Sequence, residues 1–126
     1  MKVIAINLST SGKTYGGASI ACELHTAHIK KKGVDIELWR MWSHDAFNCI
    51  KGLNIRSFKT KSLLSVFKGF LPKRILSVFM YSNISRELLK IKPDIVHLHN
   101  ILPSFELLRI CIICKKNKIK TVITTH

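Results

Sequence analysis

Acidic side chains are scarce in this sequence: seven aspartates and glutamates stand against 21 lysines and arginines, a formal net charge of +14 over 126 residues. Long apolar runs are missing as well. No stretch reaches the ~20 apolar residues that a membrane-spanning helix requires, and the longest charge-free stretch near the middle, Ile75 to Ser85, falls far short. No secretory leader opens the chain, since Asn7, Ser9 and Thr10 interrupt its first apolar run after a few residues. A cytosolic chain is the expectation. Cysteine is too sparse for a zinc framework: Cys111 and Cys114 form a Cys-x-x-Cys, but no second pair matches it. That pair also falls late in an apolar helical stretch, whereas a redox pair opens a helix, where the dipole lowers the thiol pKa. Cys22, Cys49, Cys111 and Cys114 are therefore read as reduced, buried core thiols. The six histidines have no carboxylates at ligand spacing, so neither a metal site nor a cofactor is expected. No internal repeat or low-complexity linker divides the chain.

With 47% hydrophobic and 22% charged residues, a packed core is within reach and the composition argues against wholesale disorder. The length suits a single domain that buries roughly two-thirds of its unfolded surface. The positive charge is unevenly spread. Residues 51–92 carry ten basic side chains (Lys51, Arg56, Lys59, Lys61, Lys68, Lys73, Arg74, Arg86, Lys90, Lys92) against one acid, Glu87. Such a segment fits an anionic membrane surface, a phosphorylated substrate or nucleic acid. Nucleic acid is the weakest of these, because no recognition-helix, RNA-binding or zinc-finger pattern is present. Lysines interleaved with large apolar residues suit a membrane interface better. The plain alternative for 61–81 is a core helix with a solvated face.

Lys2 to Leu8 is a β-branched apolar run that reads as a buried strand. A small polar loop, Ser9 to Gly17, leads to a helix over about 18–32. Its apolar side would be Ile20, Leu24 and Ala27, with Cys22 and Ile29, and Gly33 is placed to end it. Val34 to Trp39 alternates like a strand exposed on one face. Residues 40–60 are ambiguous. Leu63/Leu64, Val66/Phe67 and Phe70/Leu71 recur at helical spacing up to Pro72. A second helix with Leu76, Met80, Ile84, Leu88 and Ile91 runs to Pro93. Asp94 to Leu98 is a strand, a helix entered at Pro103 continues to about Lys116, and Ile119 to Thr125 is the last strand. This alternation predicts an α/β fold, a Rossmann-like doubly wound parallel sheet.

In an open parallel sheet, ligands bind beyond the carboxyl ends of the strands. Three such ends carry polar candidates: the glycine-bearing loop to Gly16 and Gly17, then His99 with Asn100, then His126. Glycines before a helix N-terminus let backbone N–H groups approach a phosphate or sugar, although a tight strand-to-helix turn explains them equally well. Gly12-Lys13-Thr14 imitates the end of a P-loop, but position 7 would have to be glycine and is Asn7. His97 and His99 share one strand face; His97, inside the strand, reads as structural, and His99, at its end, as the functional candidate.

These segments together resemble the N-terminal domain of family-4 glycosyltransferases of the GT-B fold. The residues that carry the resemblance are MKVIAINLSTSGKTYGGASIACELHTAHIKKKGVDIELW, KPDIVHLHNI and KTVITTH, with only weak likeness across 40–75. The subgroup it resembles builds bacterial surface polysaccharides of the capsule and colanic acid type. The resemblance implies transfer of a sugar from a nucleotide-sugar donor to a glycan or lipid-linked acceptor, with retained anomeric configuration and without a metal. It implies that Gly16 and Gly17 approach the donor diphosphate, that His99 and Asn100 line the acceptor pocket, and that His126 is catalytic. It also implies that residues 1–126 are an incomplete N-terminal domain, that the donor-binding C-terminal domain is absent and that the chain alone is inactive. Such enzymes act in the cytoplasm, at the inner face of the membrane. The alternative reading is a non-enzymatic Rossmann-like module that binds an anionic partner.

Overall fold

The computed structural model describes residues 1–8, 17–42, 52–64, 66, 69–99 and 104–125. The β-branched run at the start forms β1 (Lys2–Asn7), and α1 (Gly17–Lys31) follows it. Gly33, at φ +85°, ends this helix in the left-handed conformation that glycine adopts without strain. Next come β2 (Asp35–Trp42), β3 (Ile55–Lys59), β4 (Lys61–Ser62), α2 (Lys73–Val78), β5 (Met80–Tyr81) and α3 (Ile84–Ile91). The chain closes with β6 (Ile95–His99), α4 (Phe105–Lys116) and β7 (Lys120–Thr124).

Five strands form one sheet in the order β3-β2-β1-β6-β7, and every neighbouring pair is parallel. The α/β, Rossmann-like doubly wound architecture expected from the alternation is present. Side-chain alternation along β1 explains the two layers. Val3 and Ala5 pack with Cys22 of α1, Ile36 and Leu38. Ile4, Ile6 and Leu8 face the other way, into a larger cluster with Trp39, Met41, Ile84, Leu88, Val96, Leu98 and Ile110. Helix α1 thus covers one face while α3 and α4 cover the other. At the amino end, the Lys2 backbone N–H donates to Asp94 Oδ2 at 2.7 Å, and Lys2 Nζ meets Glu37 Oε1 at 3.0 Å. Trp39 Nε1 also donates to Glu37, and that bond, together with the Lys2 ammonium, holds the Glu37 carboxyl below its usual pKa.

Several sequence expectations change. The helix expected over 61–71 does not start, because Lys61–Ser62 pairs antiparallel with Met80–Tyr81 as a two-stranded ribbon. The long helix expected up to Pro93 is split into α2 and α3 by β5, and the first turn of α3 is held by the Glu106 carboxylate. Strand β3, in the ambiguous region, pairs with β2 and becomes the sheet edge. On α1, the buried residues are Ser19, Cys22, Glu23 and Thr26, whereas Ile20 and Leu24 are exposed. The physical reason is a set of polar partners beneath the helix. Finally, Cys22 and Cys114 are buried as expected, but Cys111 is exposed on α4; Cys49 lies outside the described residues. The helix expected to be entered at Pro103 begins after it, with Ser104 as cap: its Oγ accepts from the Leu107 N–H at 3.1 Å.

Candidate functional site

Parallel register brings the strand ends together. Ser57 pairs with Arg40, Arg40 with Asn7, Asn7 with His99, and His99 with Thr124, one residue from each of the five strands. Paired residues share a face, so these five form a polar row across the sheet at its carboxyl rim, on the side covered by α1. The helix answers with polar groups of its own. Asn7 Nδ2 donates to Ser19 Oγ at 3.1 Å. Arg40 Nη1 lies 3.5 Å from Glu23 Oε1, both side chains nearly fully buried, and Arg40 Nε donates to Ser57 Oγ at 2.9 Å. Such a buried ion pair persists only when its remaining donors and acceptors are also satisfied. Beside it, Thr26 Oγ1 donates to the Cys22 carbonyl, and burial pushes the Cys22 thiol up to about 12, which leaves it an inert packing group.

The histidines gather at the other end of the row. His97 is 7% exposed and His99 1%. His97 Nε2 lies 2.7 Å from Thr124 Oγ1. His25 reaches over from the exposed side of α1, with ring centroids 5.3 Å from His97 and 5.6 Å from His99; the two strand histidines are 4.0 Å apart.

Of the residues singled out from sequence, Gly17 and His99 fall on this side of the sheet, while Gly16, Asn100 and His126 lie outside the described residues. Gly17 is the first residue of α1, and a Cβ there would meet nothing within 4 Å. Packing inside the chain therefore does not require glycine at that position. Sequence reasoning missed Ser19, Glu23, His25, Arg40, Ser57 and Thr124. One signal was available: Ser19, Cys22, Glu23 and Thr26 follow the i, i+3, i+4 spacing of a buried helix face, but the polarity of Ser19, Glu23 and Thr26 pointed toward solvent.

On the other side of the sheet, Glu106 is fully buried in α4 and accepts from the Ser82 N–H at 2.9 Å and from the N–H and hydroxyl of Ser85 at 3.2 and 2.8 Å. This carboxylate is occupied in fastening α3. A shallow cleft of about 630 Å³ between Met1, Lys92, Asp94 and Asn117 sits at the amino ends of the strands, away from the rim. A smaller apolar hollow lies between Val78, Phe79, Phe105 and Leu108. Comparison with protein-family models gives no match, and no curated protein matches the chain.

Proposed function

We propose that the chain is the acceptor-side part of a family-4 glycosyltransferase, transferring a sugar from a nucleotide-sugar donor to a glycan or lipid-linked acceptor in bacterial surface-polysaccharide synthesis. The observation that supports this reading best is the alignment of three strand ends. Asn7, His99 and Thr124 are consecutive register partners, and each lies within one of the segments on which the resemblance rests. A rim of this kind is where doubly wound sheets hold ligands. Gly17 adds to it: among the described residues no contact calls for glycine at the α1 N-terminus, where helix N–H groups attract a ligand's phosphate. In this reading Gly16 and Gly17 approach the donor diphosphate, His99 and Asn100 line the acceptor pocket and His126 orients or polarises the acceptor hydroxyl, without a metal.

In that family a second domain grips the nucleotide, and no counterpart of it lies within these 126 residues. Purified alone, the chain should turn over no nucleotide sugar; detectable transfer would refute the two-domain assignment. Joined to its donor domain, His126→Ala should lower turnover about a hundredfold or more, as loss of a general acid–base or electrostatic group does, with an unchanged melting temperature. Unimpaired turnover would remove His126 from the reaction.

One observation favours the alternative, a module that binds an anionic surface. Val66 is 84% exposed and Phe70 87%, with Leu63, Ile75, Val78 and Phe79 also exposed, all within the basic segment. The two readings are compatible if the acceptor is lipid-linked, because the enzyme then works at a membrane surface.

A further inference from the structure

Among the described residues, His25, His97 and His99 offer ligand nitrogens that all lie within 4.8 Å of one another. We propose that these three histidines form a binding site for a borderline divalent transition-metal ion, zinc(II) foremost. The chemistry of the donor set selects the ion: imidazole nitrogen suits zinc, copper, nickel and cobalt, whereas magnesium and calcium require oxygen. Three nitrogens around one tetrahedral zinc, at bonds of about 2.0–2.1 Å, stand about 3.3 Å apart. The cluster is therefore slightly open, and the ring free to close it is His25, on the solvent side of α1. His97 and His99 are fixed by the strand they share, two residues apart on one face. The bond between His97 Nε2 and Thr124 Oγ1 orients that ring, as the outer partners of metal-bound histidines do.

Three protein ligands leave a fourth position for water or an oxygen of a bound molecule. Of the three ligands, His25 is the exposed one, and His99 also belongs to the polar row of the rim. The site shares His99 with the acceptor pocket of the transferase reading, in which no metal takes part, but it rests on these three side chains alone.

The test uses cobalt(II) and zinc(II) added singly to the 126-residue chain. Cobalt should give the visible absorption of a four-coordinate nitrogen–oxygen site, without a thiolate charge-transfer band, and zinc should displace it. His25→Ala should weaken binding about a hundredfold or more, given that even outer partners of such ligands cost ten- to a hundredfold. Thr124→Val, which removes only the outer partner, should weaken it about tenfold. His28→Ala, an exposed histidine of the same helix outside the cluster, should leave binding unchanged. His25→Cys, which restores a ligand atom, should recover binding and introduce the thiolate band, which separates loss of a ligand from loss of fold. Absence of binding, binding that survives His25→Ala, or a thiolate band in the unaltered chain, which would place the ion on a cysteine, would each overturn the proposal. None of these results bears on whether the chain joined to a donor domain transfers sugar.

Discussion

Glu23 and Arg40 show what single residues contribute at the rim. Each is nearly fully buried, so removal of one leaves the other charged and without its counterion in a poorly solvating interior. Arg40→Met should cost about 3–5 kcal/mol of stability, read from urea denaturation. The double variant Glu23→Leu/Arg40→Met should recover most of that loss, because no orphaned charge remains; an additive double variant would show that the pair does not act as a unit. The thiols give a second residue-scale prediction. Burial raises the Cys22 pKa to about 12 and pushes Cys114 upward too, so neither holds a useful fraction of thiolate at pH 8. Cys111 is exposed. In a Cys49→Ser background, alkylation at pH 8 followed by peptide mapping should label Cys111 first, and Cys22 and Cys114 only under denaturant. Early labelling of Cys22 would contradict the packing of α1 on the sheet.

Among the elements, α3 depends on its neighbour. No Asn83 side-chain bond caps it; instead Glu106 of α4 accepts from the backbone N–H groups of Ser82 and Ser85. A negative charge is favourable at a helix N-terminus for the same reason that free N–H groups are found there. Glu106→Gln exchanges one acceptor for a donor that faces those N–H groups, and should cost about 1–3 kcal/mol. Amide exchange should accelerate in the first turn of α3 while β1 keeps its protection. Uniform acceleration would mean that α3 has no local dependence on Glu106. This dependence also accounts for the split of a helix that the apolar spacing alone reads as continuous: Leu76, Met80 and Ile84 keep a four-residue step, but β5 pairs with β4 between them.

For the molecule as a whole, the two most exposed large apolar side chains among the described residues, Phe70 and Val66, fall in the basic stretch 51–92. Among the described residues no helix is long and apolar enough to cross a membrane. If the proposed surface binding occurs, the exposed Val66 and Phe70 would supply an apolar component and the lysines of segment 51–92 an electrostatic one, about 1 kcal/mol for each lysine near an anionic surface. Binding to vesicles containing anionic lipid should be weak and should fall as salt is added, since screening acts within about a Debye length. Phe70→Ser should weaken it further at any salt concentration. Equal affinity for neutral and anionic vesicles would exclude an electrostatic contribution.

The sequence by itself determined the order of strands and helices wherever local signals were strong. The β-branched run after Met1 makes β1, Gly33 ends α1, Pro93 follows α3, and the apolar core of Asp94–His99 makes β6. It also determined that the functional candidates stand at strand ends, because strand, loop and helix alternate in one direction. The tertiary structure alone decided what faces what. Ser57, Arg40, Asn7, His99 and Thr124 come from five separate stretches, and nothing local records that their registers coincide. Likewise the polar face of α1 is buried only because Asn7 and Arg40 wait beneath it, and His25 joins His97 and His99 only because α1 packs on the sheet beside β6. Local propensity follows from neighbouring residues, whereas the partner of a buried polar group is set by long-range pairing across the sheet.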